Sequence, residues 1–282
     1  INSSSRSSKV KKMNRWIFFI ITMSITIGAS LSAQAQSLNF SSGDTPIEID
    51  ADNGIEWQQD GLMFVARGNA RAVRGEVQIL ADELRAYYRK TTQGATEIWR
   101  LDAIGAVRIK SVEGTVFGDK ALYDVDNSIL TITGKNLKLI SGQDWLTATD
   151  QLEYWEKKQM AVARGNAVSK HENKKLNAKI LAAYFRKNKK NEQRIYRVDA
   201  FDAVKVSAGK DEATSDRGVY NVESGIATLT GNVKIVRDKN VLNGCSANIN
   251  LNTGVSRLHS CATGNTRVKG RFLLKKKPQK YF

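Results

Sequence analysis

Apolar and polar residues alternate through most of the chain. Segments such as Ile47-Glu48-Ile49, Val107-Arg108-Ile109, Leu130-Thr131-Ile132 and Leu137-Lys138-Leu139 place apolar side chains on every second position. A period of two marks half-buried antiparallel strands. Gly, Asn and Asp punctuate these runs about every ten residues, so the pattern predicts many short strands. Gly68-Asn69, Asp126-Asn127, Gly165-Asn166 and Gly231-Asn232 fall between runs. Positive φ is cheap for Gly and tolerated by Asn, so these pairs are expected to be turns. Ala81 to Arg89 resembles a helix in isolation, but its neighbours and its repeat context assign it to a strand. More than a dozen strands in one flat sheet would leave long unpaired edges. The pattern therefore predicts an all-β chain folded over into a sandwich, jelly roll or solenoid.

The chain also repeats itself. At a shift of 97 residues, 51–147 and 148–244 share 28 identities without a gap, where composition alone would give about six or seven. Val65-Ala66-Arg67-Gly68-Asn69-Ala70 recurs as Val162-Ala163-Arg164-Gly165-Asn166-Ala167, and Asp102-Ala103 recurs as Asp199-Ala200. Such an internal duplication predicts stacked units with one continuous core.

The first residues have a different character. Arg6, Lys9, Lys11, Lys12 and Arg15 precede an apolar run from Trp16 to Ser32, followed by Ala33-Gln34-Ala35. This is the layout of a secretory signal peptide over 1–35, with an uncleaved membrane anchor as the alternative. The whole chain carries 44 Lys and Arg against 28 Asp and Glu, or +16, and removing five cations with residues 1–35 leaves 39 − 28 = +11. The basicity belongs to the folded part. An exported cation of this size meets lipid headgroup phosphates rather than nucleic acid. Arg267, Lys269, Arg271, Lys275, Lys276, Lys277 and Lys280 make residues 267–282 a basic C-terminal tail.

Chemistry is sparse. His171 and His259 are far apart in sequence, and no metal-ligand cluster, nucleophile elbow or Gly-rich phosphate loop occurs. Acid pairs such as Asp82-Glu83 are expected at solvated strand ends and turns. The residues point to no enzyme, cofactor or metal. Cys245 and Cys261 lie symmetrically about Asn252-Thr253-Gly254, a three-residue hairpin loop by its turn chemistry. In that register Leu251 faces Val255, Ile249 faces Arg257 and Cys245 faces Cys261, which predicts a disulfide in an exported protein.

Pro46-Ile47-Glu48-Ile49-Asp50-Ala51-Asp52, Phe64 to Ala70, Gly75, Ile79 to Leu84 and Tyr87 together resemble the OstA-like N-terminal domain. That domain occurs in the periplasmic lipopolysaccharide-transport protein LptA, in the periplasmic part of LptD and, more distantly, in LptC. Weaker copies such as Leu130 to Gly134 and Ala227 to Val233 extend the resemblance through residue 252. It implies a twisted antiparallel β-jelly roll, or β-taco, with solenoid-like internal repeats across 36–266. Lipid A acyl chains would lie inside the V, and Ile47, Ile49, Val107, Ile109, Leu130 and Ile132 would line the lipid slot. It also implies a periplasmic bridge between the membranes, with LptC-like and LptD-like partners and head-to-tail self-association. An anchored, LptC-like scaffold and a ligand-free structural solenoid are the alternatives.

Overall fold

A computed structural model of the chain describes residues 47–189, 193–209, 211–253, 255–262 and 266–273. The expected signal segment, Pro46 and most of the basic tail lie outside these residues. Eighteen strands and no helix make up the described chain. They are β1 (Glu48–Asp50), β2 (Ile55–Gln58), β3 (Met63–Arg74), β4 (Val77–Lys90), β5 (Thr96–Ser111), β6 (Gly114–Asp124), β7 (Ile129–Thr133), β8 (Leu137–Ser141) and β9 (Asp144–Ala148). The second half continues with β10 (Gln151–Trp155), β11 (Met160–His171), β12 (Lys174–Lys187), β13 (Gln193–Ala208), β14 (Asp211–Asn221), β15 (Ile226–Arg237), β16 (Asn240–Asn250), β17 (Ser256–His259) and β18 (Lys269–Arg271). The segment 81–89 lies inside β4, as its strand pattern requires.

All pairings are antiparallel and most join consecutive strands, but the long strands are not straight. β3 pairs with β2 through Met63–Ala66 and with β1 through Arg71–Val73. Its register breaks between Arg67 and Ala70. The same break falls between Arg164 and Ala167 in β11 and between Thr230 and Val233 in β15. At these points Gly68 and Asn69 have φ of 79° and 44°, Gly165 and Asn166 82° and 42°, and Gly231 and Asn232 78° and 49°. The Gly-Asn pairs therefore have the positive φ expected of them, but they are not hairpin turns. They are bulges that bend one continuous strand from one half-sheet into another. Strands reach 16 residues because the ten-residue punctuation marks corners as well as turns. Asp126-Asn127 does lie in a turn, where Asp124 Oδ1 accepts from the Asn127 amide at 2.9 Å.

Where a corner is tightest, the strand divides in two. β7 and β8 form one bent rung split at Gly134, and β9 and β10 form the next, split at Thr149-Asp150. The result is a V with two walls. One carries β1, β8, β9 and β18, and the other carries β2, β7, β10 and β17, while the longer strands cross both. A column of acidic and amide side chains stitches the corners together. Asn69 Nδ2 donates to Asp52 at 2.7 Å, the Lys135 amide donates to Asp119 at 2.9 Å, and Asn232 Nδ2 donates to Asp216 at 2.9 Å. A Cβ on Gly165 would overlap the Asp150 side chain, so the close approach there admits only glycine.

The walls converge at the corners, so the inner positions just beyond them are small or fully buried. Ala70, Ala167, Val107, Val233 and Leu137 are all 2% exposed or less. One apolar cluster runs from Ala66 to Val204, and a second, built on Leu229, Val233, Ala247 and Ile249, fills the C-terminal end.

Three details differ from the sequence expectations. Asp82-Glu83 lies in the middle of β4 at its bulge, where Glu83 pairs with Arg67 at 3.0 Å and with Arg85. Strand β17 is one residue out of the symmetric register: Ser246 faces His259 and Ile249 faces Ser256, which places Ser260 rather than Cys261 opposite Cys245. The Cys245 and Cys261 Cα atoms are nonetheless 5.0 Å apart, and the two are joined as a disulfide. Finally, the sheet does not stop at residue 266. Lys269–Arg271 forms β18 against Val241–Asn243, because the part of β16 beyond its corner offers an edge that β17 does not reach.

Candidate functional site

The V encloses an apolar cleft of about 190 Å³ at its N-terminal end. Of the 18 residues around it, all but Arg85 and Asp102 are aliphatic or aromatic. Period-two alternation builds it. Ile49 from β1 and Ile79 from β4 face it from one wall, and Ile55, Phe64, Leu84 and Leu101 from β2 to β5 face it from the other. Tyr123 joins them with its polar end turned aside, since its hydroxyl donates to Glu156 Oε2 at 2.9 Å.

Four of the six expected lipid-facing residues line this cleft: Ile47, Ile49, Ile109 and Leu130. Ile47 and Ile49 sit at the open edge, 39% and 38% exposed, whereas Ile109 and Leu130 are buried at 2% and 4%. Val107 and Ile132 face the interior but do not line the cleft. They flank the corners at Gly105-Ala106 and Gly134, at the bottom of the V, where the walls already touch. A Cβ on Gly118 would collide with Ile132 there. Ile55, Phe64, Ile79, Leu84 and Leu101 were missed from the sequence. For Phe64, Ile79, Leu84 and Leu101 the signal was present, because each shares the parity of a buried neighbour on its strand, whereas β2 has no buried residue to mark Ile55. Choosing them requires knowing which strand halves face each other.

The mouth of the cleft is aromatic. Trp57, 61% exposed, stacks on Phe64 at 5.5 Å between centroids and donates from Nε1 to the Tyr88 hydroxyl at 2.8 Å. Both strands at this end are edges. β1 and β2 pair with β3 on one side and with nothing on the other among the described residues. At the far end, among the described residues, β17 and β18 pair only with β16.

The outside of the β2–β10 wall is polar and internally neutralised. Glu83 is pushed up by its burial, but Arg85 and Arg67 outweigh this and hold it below the ordinary carboxylate value. Glu153 behaves alike. Burial raises its carboxyl, while hydrogen bonds from Arg164, from Trp155 at 2.7 Å and from Gln151 bring it below 4.5. Arg100 over Tyr87 with Asp102, and Arg197 over Tyr184 with Asp199, repeat one motif in the two copies. His171 pairs with Asp144, and His259 is exposed at the end of β17. Among the described residues no group of His, Cys, Asp and Glu is placed to hold a metal, and no helix is long and apolar enough to cross a membrane.

The sequence profile of the family described as LptA/(LptD N-terminal domain) LPS transport protein matches twice, over residues 48–150 and 146–255. An uncharacterized protein of Rhizobium meliloti (strain 1021) is 23% identical over 125 residues, covering 43% of this chain. The chain spans 66% of that relative, just under two thirds of its length. LptH of Pseudomonas aeruginosa, described as the LptA homologous periplasmic component of a lipopolysaccharide transport device, superposes with a TM-score of 0.41 at 15% identity. That superposition covers 46% of this chain and 95% of LptH.

Proposed function

Because this chain belongs to the LptA/(LptD N-terminal domain) LPS transport protein family, we propose that it is a periplasmic lipopolysaccharide carrier that bridges the inner and outer membranes. The observation that carries this reading is the apolar cleft between the walls, open past Ile47, Ile49 and Ile55 at an unpaired sheet edge. Acyl chains gain about 0.8 kcal/mol per methylene on leaving water for such a surface. At about 190 Å³ the cleft is smaller than the ~300 Å³ at which small-molecule pockets begin, so it grips a segment of chain rather than a whole lipid. A carrier needs that partial grip, because the cargo must leave again. The edges of β1 with β2 and of β17 with β18, free among the described residues, offer unpaired backbone groups to LptC-like and LptD-like neighbours and to further copies of the chain.

The test is a photo-crosslinking residue placed at 47, 48 or 49 in intact cells. Lipopolysaccharide is captured from 47 and 49, which line the cleft, and not from 48, which does not. Ile49→Asp, which sets a charge against the acyl chains, abolishes loading, while Glu48→Lys retains it. Capture from 48 alone refutes the reading. Sequencing the N-terminus of the protein from the cell envelope separates a soluble carrier beginning at Gln36 from an anchored scaffold that keeps Trp16 to Ser32.

A further inference from the structure

Toward its ends the β1–β9 wall pairs its charges, Arg71 with Asp50, Lys205 with Glu212 and Arg237 with Asp211, but in the middle of the sheet the two outer faces of the V differ. On the β2–β10 wall most arginines are matched to an acid: Arg67 to Glu83, Arg89 to Asp126, Arg100 to Asp102, Arg164 to Glu153 and Arg197 to Asp199. On the β1–β9 wall, Arg108, Lys110, Lys138, Lys170 and Lys175 point outward, between buried neighbours such as Val107, Ile109 and Leu137. Among the described residues none of these five has an acidic partner. In the halves of these strands that build this part of the wall, the acids are Glu113 and Glu172 in hairpin turns, and Asp144, which is taken by His171.

The register makes this a compact patch. Arg108 stands opposite Phe117 and Phe117 opposite Lys138; in the next row Ile140 stands opposite Trp145 and Trp145 opposite Lys170. Lys170 then faces Lys175 directly. Like charges opposed across a sheet are destabilising, and among the described residues no acid pairs with either lysine. The patch crosses six neighbouring strand segments, from β5 to β12, a width of about 24 Å at about 4.8 Å per strand. Its cations surround half-buried Phe117, Ile140 and Trp145.

We propose that this outer face docks flat on the surface of an anionic lipid bilayer. Unpaired lysines and an arginine supply the electrostatic attraction, while Trp145, Phe117 and Ile140 occupy the headgroup level that aromatic residues favour. A soluble polyanion would satisfy the cations and leave the apolar centre unused. The face lies outside the V, so docking and cargo binding do not compete for residues, and this inference does not rest on the carrier reading.

The experiment uses the full purified chain with vesicles of phosphatidylcholine containing a quarter of phosphatidylglycerol and brominated acyl chains. Trp145 is quenched on binding, and its share of the quenching is lost in Trp145→Phe, whereas whatever Trp16, Trp57, Trp99 and Trp155 contribute is the same in both proteins. Lys110→Gln/Lys138→Gln/Lys170→Gln weakens partitioning by on the order of a hundredfold, at about fivefold per cation removed. Molar salt abolishes it, and Ile49→Asp leaves it unchanged. Equal partitioning onto pure phosphatidylcholine overturns the proposal. So does quenching that is undiminished in Trp145→Phe, or binding lost on removing residues 271–282 but kept in the triple variant.

Discussion

Ala66 and Ala163 hold the same place in the two copies, 97 residues apart, and are 3% and 1% exposed. Only Ala66 borders the cleft; Ala163 is packed among other buried side chains. Leucine adds three carbons. At Ala66 these enter open apolar space, and at ~0.8 kcal/mol per buried carbon the change is worth up to ~2.4 kcal/mol of added stability. At Ala163 the same three carbons have no space, and overpacking costs about 1–3 kcal/mol. The two variants thus differ by about 3 kcal/mol, which at about 2–4 °C per kcal/mol separates their melting temperatures by roughly 6–12 °C. Thermal unfolding of the two proteins, with displacement of a fluorescent acyl probe as a second readout, tests both halves. Ala66→Leu is as stable as the parent or more so and loads less lipid; Ala163→Leu is less stable and loads normally. Equal destabilisation at both sites, or undiminished loading in Ala66→Leu, refutes the cleft as the binding site.

Gly165→Ala and Gly142→Ala both place a side chain at positive φ, which costs about 1–2 kcal/mol, but only Gly165 approaches another side chain. Urea unfolding midpoints therefore fall further for Gly165→Ala. Glu153 has a folded pKa below 4.5, so its contribution is complete above that pH and is lost as pH falls through the lowered value. Parent and Glu153→Gln differ most in urea midpoint at neutral pH, and the difference shrinks in acid. Cys245 and Cys261 close a loop of 16 residues, and reduction lowers stability by about 3 kcal/mol. Thiol labelling of denatured, unreduced protein finds no free cysteine.

Parity along each strand was legible from the residues alone. Ile49, Ile109 and Leu130 are inward because their neighbours Glu48, Arg108 and Thr131 are polar. Parity says nothing about depth in the V. Val107 and Ile109 share one face of β5, yet two residues of distance from the corner put one at the closed bottom and the other on the cleft. The Gly-Asn pairs carry the same ambiguity. Positive φ is a local property that the residue types announce, but a hairpin and a bulge both use it. Whether the chain reverses or bends depends on the strand alongside, as the pairing of β3 with both β1 and β2 shows. The one-residue slip of β17 has a similar origin, since loop chemistry proposed a symmetric hairpin and the pairing of β16 chose the adjacent register.

The sequence by itself determined the all-β class, the duplication at 97 residues, the inward parity of each strand and the excess of positive charge, because each depends only on residue identity and spacing. The tertiary structure decided which halves of the strands become opposite walls, and so where the walls touch and where they leave about 190 Å³ between them. It also decided which cations find acids and which, like Lys170 opposite Lys175, find none among the described residues. Both depend on neighbours distant in sequence, whose distance and register are set by the bend at each corner.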